Sequence, residues 1–379
     1  MILAINASRA RSGGAITHLI GFIGEMDPEA YGFKMVHVWT YQSLAKELPH
    51  RPWLIKHSPA LLDGGIIKQV LWEWLVLPIR LKGQNCRILL NIDGGTFCRF
   101  KPSVTMSRDM LSYEPGEIDR FAYSKAWLRL LLLRYIQNAS FRAANGVIFL
   151  THYAAEVIQK YCGILTNIAY IPHGVSAKFF LPQHFKKNLF SELNAVSCLY
   201  ISNISLYKHQ WKVIEAISLL RTKGWDIRLV LTGGGVAGGA SRAQKLLDCA
   251  ISIFDPNAIF IKQLGYVMED DLPKLISKSD IFIFASSCEN MPNTLIQAMS
   301  VGVPIACSDR GPMKEVLQDG GVYFDPEKPD TIALAIENLL NDQNLRHIVS
   351  SRARDLASQY TWKRCANETL AFLVAVLKK

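Results

Sequence analysis

The chain has 379 residues, of which half are hydrophobic and a fifth are charged. That balance excludes a disordered or fibrous chain, and the length suits two domains of roughly 150–200 residues each. Residues 1–182 hold 20 Lys and Arg against 12 Asp and Glu, whereas the remainder hold 22 against 20. The basic first part indicates either an anionic partner (phospholipid headgroups, a phosphorylated lipid or nucleic acid) or simply a soluble surface rich in lysine.

We expect no targeting or membrane-spanning segment in this sequence. The apolar start from Met1 to Asn6 is too short for a signal-peptide core. The most lipophilic stretch, Trp127–Arg134, carries two arginines and falls short of the ~20 apolar residues that span a bilayer. The eight cysteines show no C-x-x-C pair or metal-ligand spacing. We therefore expect a cytoplasmic protein with reduced, mostly buried thiols.

Strands and helices alternate in the first half. A loop with Gly13 and Gly14 precedes an apolar-periodic helix from about Thr17, and further helical patterns cover 66–82 and 123–144. Buried apolar runs predict six strands: Ile2–Ile5, Lys34–Val38, Arg87–Asn91, Ser103–Met106, Gly146–Leu150 and Ile168–Ile171.

A second series follows a linker predicted over Phe179–Asn194, and the chain ends in helical patterns. Its six predicted strands are Ser197–Ile201, Ile227–Leu231, Ile259–Ile261, Ile281–Phe284, Pro304–Cys307 and Gly321–Phe324. Alternation of this kind predicts an α/β protein with two Rossmann-like, doubly wound domains that face a cleft. Open α/β sheets bind ligands at the carboxyl ends of their strands, so that cleft is the expected site.

A glycine run, Leu231–Gly235, directly follows a predicted strand. Glycines allow backbone N–H groups to approach a phosphate or a base closely. The run favours nucleotide binding, although a plain strand-to-helix turn has the same pattern.

A polar loop follows the strand that ends at Phe284, and a helix is predicted to begin near Asn293 and Thr294. The free amides of such a helix form an anion site that suits a diphosphate. Glu289 in the loop suits hydrogen bonds from sugar hydroxyls, and Gln297 lies one turn into the helix. The alternative for Glu289 is a solvated loop acid.

The segment Tyr200–Lys208 closes the first strand of the second series. Lys208 would place a cation where the charge of a leaving group must be neutralised. The alternative is an ordinary surface lysine.

These residues carry a resemblance to a known family. The segment 197–325 resembles the C-terminal domain of retaining glycosyltransferase family 4, of the glycosyltransferase group 1 type, which has the GT-B fold. In that family an Arg-x4-Lys pair binds the donor diphosphate, and a Glu-x7-Glu motif binds the donor sugar and ribose. The same spacings occur here as Asn203-x4-Lys208 and Glu289-x7-Gln297. Similar stretches are 298–304, 311–315, 320–326, 345–362, Ile171–Val175 and, more loosely, Ser12–His18 and Arg108–Leu111.

Three positions depart from the family pattern. Asn203 replaces the usual arginine and removes a cation, and Gln297 replaces the second glutamate, although an amide still bonds ribose hydroxyls. Many relatives place a sugar-contacting histidine near 105–112, where this chain has Ser107–Asp109.

The resemblance implies a set of site residues, none of which binds a metal. The residues expected to act in catalysis are Glu289, Lys208 and Asp109, the last by orienting the acceptor. Donor binding is expected from Gly13, Gly14, Asn203, Gly233, Gly234, Asn293, Thr294, Leu295 and Gln297. The acceptor side is expected to include Arg108 and His173.

The resemblance also implies a reaction. We expect metal-independent transfer of a hexose from a nucleotide sugar, GDP-mannose being slightly favoured over a UDP-sugar, to a lipid-linked or oligosaccharide acceptor in bacterial cell-surface polysaccharide or O-antigen synthesis. Residues 1–182 would bind the acceptor and 195–358 the donor, while 359–379 would form a helix returning to the N-terminal domain. Peripheral docking on the anionic inner face of the cytoplasmic membrane is expected through Trp72, Trp74 and 127–134, unless these stretches pack internally.

Other functions remain open. The changes at Asn203 and Gln297 also fit a catalytically weakened homologue that binds a sugar nucleotide or acts as a scaffold. A nucleotide-sugar epimerase would suit the fold, whereas a glycogen-phosphorylase-like enzyme lacks an evident lysine for pyridoxal phosphate. A nucleic-acid partner is not expected, because no recognition module is visible.

Overall fold

The computed structural model describes residues 1–11, 13–181, 195–234 and 242–379. The chain divides into two compact units, one formed by residues 1–176 and 360–379 and the other by residues 177–359. The boundary therefore follows Ser176, and not residue 182. Most of the linker predicted over Phe179–Asn194, from Pro182 onward, lies outside the described residues, as do Ser12 and Gly235 of the two glycine motifs.

The N-terminal unit contains a parallel seven-stranded sheet in the order β3-β2-β1-β4-β5-β6-β7. Its strands are β1 Ile2–Asn6, β2 Met35–Trp39, β3 Leu54–His57, β4 Ile88–Asn91, β5 Ser103–Met106, β6 Gly146–Phe149 and β7 Ile168–Tyr170. Its helices are α1 Gly13–Gly24, α2 Gln42–Glu47, α3 Ile66–Leu71, α4 Leu77–Gly83, α5 Lys125–Ala143 and α6 His152–Cys162, and the C-terminal α14 Trp362–Lys378 belongs to the same unit.

The C-terminal unit contains a parallel six-stranded sheet in the order β10-β9-β8-β11-β12-β13. Its strands are β8 Val196–Ile201, β9 Ile227–Thr232, β10 Ile261–Gln263, β11 Ile281–Phe284, β12 Ile305–Ser308 and β13 Val322–Phe324. Its helices are α7 Gln210–Thr222, α8 Arg242–Phe254, α9 Leu272–Lys278, α10 Asn293–Val301, α11 Met313–Leu317, α12 Pro329–Asn341 and α13 Gln343–Ala357.

The central strands of both sheets are buried on both faces. The central strands are therefore continuous apolar runs, such as Ile281–Phe284, in which every residue is buried. Each strand order reverses beside the first strand of its unit, at β1/β4 and at β8/β11, as in a Rossmann fold. The predicted fold class of two Rossmann-like α/β domains is confirmed, and the reversal points are where such sheets bind ligands.

Three elements differ from the sequence prediction. Strand β3, Leu54–His57, was not predicted, because it is a short edge strand interrupted by a lysine. The strand predicted at Ile259–Ile261 begins two residues later, at Ile261, and the amides of Ile259 and Phe260 donate to the Asp255 carboxylate. The helix predicted over 66–82 contains a π-helical turn at Trp72–Val76.

The π-helical turn changes how the two tryptophans are used. Trp72 is 1% exposed and belongs to the core, whereas Trp74 is 58% exposed. The prediction that Trp72 docks on a membrane is therefore wrong, because its side chain cannot reach solvent. In the described ranges, no helix is both long and apolar enough to span a bilayer.

Helix α14 packs directly on α1. A Cβ atom added at Gly21 would lie 2.3 Å from the Trp362 ring, and one added at Gly174 would lie 2.3 Å from the Trp362 backbone nitrogen. Val175 and Thr361 form a parallel bridge where the chain leaves and re-enters the N-terminal unit. The last 20 residues therefore complete the core of that unit.

Candidate functional site

Lys208 and Glu289 form a buried ion pair at the β8/β11 reversal point. Lys208 ends a short 3-10 turn after β8, and Glu289 lies in the loop after β11. Their side chains are only 11% and 16% exposed. Burial alone would lower the pKa of Lys208, but the Glu289 carboxylate outweighs it and raises that pKa above its ordinary value. Lys208 is therefore a cation that the structure pairs with a carboxylate.

The two loops that carry this ion pair are tied to each other. The Ser287 backbone N–H donates to the Tyr207 carbonyl at 2.8 Å, and the Ser287 hydroxyl lies 2.8 Å from His209 Nε2. His209 adopts a left-handed backbone conformation with φ +48°, which is rare outside glycine. Sequence patterns do not reveal this residue, because nothing in the local sequence marks a strained histidine.

Helix α10 begins beside the ion pair without a side-chain cap. Its N-cap residue, Pro292, makes no side-chain hydrogen bond. The Thr294 hydroxyl donates to the Ile201 carbonyl at 3.5 Å and ties α10 to the end of β8. The side chain of Leu295 is completely buried, so only its backbone could contact a donor. The first amides of α10 therefore lie at the same edge of the sheet as Lys208, and a helix N-terminus without a side-chain cap is a kind of position that can bind an anion.

Gln297 lies one turn into α10 and is buried. Its side-chain oxygen has no hydrogen-bond partner in the described part of the chain. An unsatisfied buried carbonyl costs about 1–3 kcal/mol, so a bound hydroxyl or water at this position would be favourable.

The predicted glycines have different roles. Gly233 has φ +140°, and a Cβ atom there would lie 2.0 Å from the Ser202 carbonyl oxygen, so the fold itself requires glycine. At Gly234, by contrast, a Cβ atom would meet nothing within 4 Å. Asn203, which stands beside Gly233, is exposed.

The residues predicted for the acceptor side belong to a buried cluster in the N-terminal unit. His173 and His18 share a hydrogen bond between their Nδ1 atoms at 2.6 Å, and Arg108 donates to the Gly14 carbonyl at 2.6 Å. Burial and the neighbouring Arg108 lower the pKa of His173 well below its ordinary value. Burial, His173 and Arg108 do the same for His18. Both imidazoles are therefore neutral at neutral pH.

Asp109 and Gly13 lie near this cluster in sequence. Burial raises the pKa of Asp109, and the Leu111 amide, which donates to its carboxylate at 3.0 Å, opposes that shift. Gly13 opens α1, and a Cβ atom there would meet nothing within 4 Å.

The predicted residues therefore form two groups. Lys208 and Glu289 come together in the C-terminal unit with the other donor-side residues, which are Asn203, Gly233, Gly234, Asn293, Thr294, Leu295 and Gln297. The second group, Gly13, Gly14, Arg108, Asp109 and His173, lies in the N-terminal unit. Outside residues 12, 182–194 and 235–241, no cluster of three His, Cys, Asp or Glu side chains could hold a metal ion.

The donor-side group lies within a segment that matches a known family. Residues 183–356 match the family model described as Glycosyl transferases group 1. This segment is similar to group 1 glycosyl transferases. It contains Lys208, Glu289 and Gln297, together with the reversal point of the second sheet.

Curated relatives are similar to this chain over short alignments. O-antigen chain mannosyltransferase B from Escherichia coli is 35% identical over 111 residues, which cover 29% of each chain. Alpha-D-kanosaminyltransferase from Streptomyces kanamyceticus is 26% identical over 166 residues, or 43% of this chain and 41% of the relative. The chain therefore matches less than half the length of these relatives.

Solved structures match the fold over the whole chain. Sucrose-phosphate synthase from Thermosynechococcus elongatus superposes with a TM-score of 0.74 at 14% identity, covering 97% of both chains. HepE from Anabaena, solved in complex with UDP, has a TM-score of 0.71 at 19% identity and 99% coverage of both chains. The two Rossmann-like domains thus correspond to the GT-B fold.

Proposed function

We propose that the protein is a retaining glycosyltransferase that moves a hexose from a nucleotide-diphosphate sugar to a lipid-linked glycan. The observation that carries the proposal is the Lys208–Glu289 ion pair beside the uncapped N-terminus of α10. A cation, a carboxylate and free amides at one reversal point match a sugar linked to a diphosphate.

Donor binding would exchange the partners of this ion pair. The diphosphate would take the Lys208 ammonium and the first amides of α10, which neutralise anionic oxygens. The Glu289 carboxylate would then accept hydrogen bonds from sugar hydroxyls, and the Gln297 side-chain oxygen from the ribose. Each group that loses a protein partner gains a ligand partner, so little free energy is lost in the exchange.

The transfer would follow from this arrangement. The bond between the sugar anomeric carbon and the diphosphate oxygen breaks, and its electron pair leaves with the diphosphate. Lys208 and the α10 amides stabilise that charge. The acceptor hydroxyl attacks the same face of the sugar and gives its proton to the departing phosphate, which retains the anomeric configuration. Because Lys208 and the helix dipole supply positive charge, we propose that transfer needs no metal ion.

The relatives suggest two donors. One is named as a mannosyltransferase of O-antigen chains, which supports GDP-mannose and a cell-surface polysaccharide product. HepE was solved with UDP, which supports a uridine donor. We propose GDP-mannose, because the mannosyltransferase has the higher sequence identity.

The test is calorimetry of the purified protein with GDP, UDP, ADP and their common sugar conjugates, with and without Mg²⁺. We expect saturable binding of one nucleotide sugar, lost in Lys208→Ala and Glu289→Ala but kept in Lys212→Ala, a lysine of α7 paired with Glu215. Turnover should survive EDTA. Binding without turnover would instead support the weakened, scaffold-type homologue, and no binding at all would refute the proposed function.

We also propose peripheral contact with anionic membranes through the N-terminal unit. Leu128, Leu132 and Tyr135 are exposed on α5, a helix that carries basic side chains such as Arg129. Cosedimentation with liposomes tests this contact. At low salt, the protein should pellet with liposomes that contain phosphatidylglycerol and stay in solution with neutral ones. Equal recovery with both would refute it.

A further inference from the structure

His209 lies between the 3-10 turn that ends at Lys208 and helix α7, and its backbone is left-handed. Among the described residues, five residues other than glycine have positive φ, and His209 is the one that is buried. The other four, Asn85, Tyr123, Ala258 and Gln318, are exposed. A strained residue persists only where its surroundings fix it, so the side-chain contacts of His209 indicate what the strain supports.

The side chain of His209 contacts Ser287, in the loop that follows β11. Its Nε2 atom lies 2.8 Å from the Ser287 hydroxyl, and both residues are buried. The Ser287 backbone N–H donates to the Tyr207 carbonyl at 2.8 Å. Ser287 therefore bonds to the residues on both sides of Lys208, and it lies two positions before Glu289, the partner of that lysine.

The backbone of Lys208 is held by further hydrogen bonds. Its N–H donates to the Ser205 carbonyl at 3.0 Å, and its carbonyl accepts from the Tyr200 hydroxyl at 2.6 Å. Tyr200 belongs to β8, so the strand fixes the lysine from one side and Ser287 from the other. Because a lysine side chain is long and flexible, a fixed backbone narrows the positions that its ammonium can reach.

The fixed position of Lys208 matters for the binding of an anion. A cation that is placed in advance loses little freedom when the anion binds, so more of the attraction appears as affinity. The N-terminus of α10 is tied to the same strand, because the Thr294 hydroxyl donates to the Ile201 carbonyl at 3.5 Å. The lysine and the first amides of α10 are therefore both held relative to β8.

We propose that His209 is a positioning residue that, through Ser287, holds the Lys208 ammonium at the place where a diphosphate binds beside α10. That the diphosphate belongs to a nucleotide sugar rests on the proposed function. The positioning role itself does not, because inorganic pyrophosphate presents the same pair of phosphate groups.

Calorimetry with GDP and GMP tests this role, since the two nucleotides differ by one phosphate, and UDP and UMP are titrated in parallel. The ratio of the monophosphate to the diphosphate dissociation constant measures what the second phosphate contributes. His209→Gly and Ser287→Ala should each lower this ratio about tenfold, as expected for a weakened charge-assisted contact, and leave the monophosphate affinity unchanged. Equal losses for both nucleotides would indicate a general loosening of the fold and would overturn the proposal.

The two variants remove the same contact in different ways. His209→Gly also relieves the backbone strain, whereas Ser287→Ala leaves the backbone bond to Tyr207 in place. If both act through one contact, the double variant should lower the ratio no further than either single variant. Additive losses would contradict a role of His209 that acts through Ser287.

Two matched controls lie elsewhere in the C-terminal unit. Ala258→Gly relieves a positive φ at an exposed position before β10. Ser279→Ala removes a buried hydroxyl before β11, which donates to the Ile276 carbonyl at 2.7 Å. Both residues precede a strand, whereas Lys208 follows one, so the ratio should keep its wild-type value in each control. A fall in either control as large as that in His209→Gly would overturn the proposal.

Titration of inorganic pyrophosphate separates this proposal from the proposed function. If the wild-type protein binds pyrophosphate but no nucleotide, the proposed function fails. About tenfold weaker pyrophosphate binding in His209→Gly and Ser287→Ala would then still support the positioning role. Unchanged affinity of both variants for pyrophosphate and for the nucleoside diphosphates would overturn that role, as would the failure of the wild-type protein to bind any of these ligands.

Discussion

The two sheets share one strand order apart from the additional strand β7 of the first, yet the carboxylates at their reversal points differ. At the β1/β4 reversal point, the buried Glu73 carboxylate accepts hydrogen bonds from the Asn6 side chain at 3.1 Å, the Ser8 hydroxyl at 2.6 Å and the Phe97 backbone amide at 3.1 Å. The Arg9 guanidinium lies 3.6 Å from the same carboxylate. At the β8/β11 reversal point, the Glu289 carboxylate is slightly exposed and, among the described residues, accepts a hydrogen bond from the Lys208 ammonium.

This difference separates a structural carboxylate from one that can bind a ligand. The oxygens of Glu73 are saturated by the loops that follow β1 and β4, so a ligand could only displace protein contacts and destabilise both loops. Glu289 has one exchangeable partner beside free helix amides. The same fold position therefore supports structure in one unit and the candidate site in the other.

The largest expected effect is a loss of stability on replacing Glu73. In Glu73→Leu, the donors from Asn6, Ser8 and Phe97 lose their acceptor and Arg9 is left without a counter-ion, so the free energy of unfolding should fall by about 3–5 kcal/mol. Urea denaturation measures this loss. Glu156→Leu, at an exposed glutamate of α6, should change the stability by less than about 0.5 kcal/mol. Similar losses in both variants would contradict the structural role.

Lys208→Met should mainly affect function. We expect the transfer rate to fall on the order of 10²–10³-fold, since a preorganised group that stabilises leaving-group charge is lost. Stability should fall less than in Glu73→Leu, because Glu289 is 16% exposed and loses one partner, whereas Glu73 is 1% exposed and three hydrogen-bond donors depend on it. Single-turnover kinetics and urea denaturation measure the two quantities. Lys212→Met, at a lysine on the solvent side of α7, should change neither the transfer rate nor the stability. A loss of rate in this control would contradict a specific role for Lys208.

The two neighbouring glycines after β9 should separate fold from ligand binding. Gly233→Ala should lower the free energy of unfolding by about 1–3 kcal/mol or more, because its Cβ atom would collide with the Ser202 carbonyl oxygen. Gly234→Ala should leave stability nearly unchanged. If Gly234→Ala nevertheless weakens nucleotide binding in calorimetry, the open space at Gly234 is used by the ligand.

The buried histidine pair should make stability depend on pH. Below an unfolded-state pKa near 6.5, the unfolded chain binds protons that His18 and His173 cannot accept in the fold. Stability should therefore fall as pH falls below about 6.5, by up to about 1.4 kcal/mol per pH unit for each histidine. Denaturation at pH 7.5, 6.5 and 5.5 measures the slope. His18→Phe should flatten it, whereas His50→Gln, at an exposed site, should not.

The smallest expected effect is a gain in nucleotide affinity at Asn203. Asn203→Arg adds an exposed cation beside Gly233, at the edge where the diphosphate is proposed to bind. Nucleotide affinity should rise up to about tenfold, as expected for one added charge-assisted contact. Calorimetry with the preferred nucleotide sugar measures the gain. Asn257→Arg, at an exposed loop position of the same unit, should give no gain, so an equal rise in both would indicate a nonspecific charge effect.

The sequence predicted most of the fold because buried parallel strands are continuous apolar runs. It also predicted Lys208 and Glu289 as site residues, and the structure brings these two side chains together as an ion pair. It missed β3, which is a short edge strand interrupted by a lysine. It also did not predict that Trp72 is buried, because a π-helical turn shifts which side chains face inward. The contacts of His209 depend on backbone strain and on a loop 78 residues away, which no local pattern encodes.

Helix α14 has a consequence for how the chain is made. The N-terminal unit lacks its Trp362 contact until residue 362 has been synthesised, although the strands of its sheet are all present by Tyr170. The C-terminal unit, which ends at Gln359, is wholly translated before that contact can form. The second unit should therefore reach its final packing first, reversing the usual N-to-C order of folding during translation.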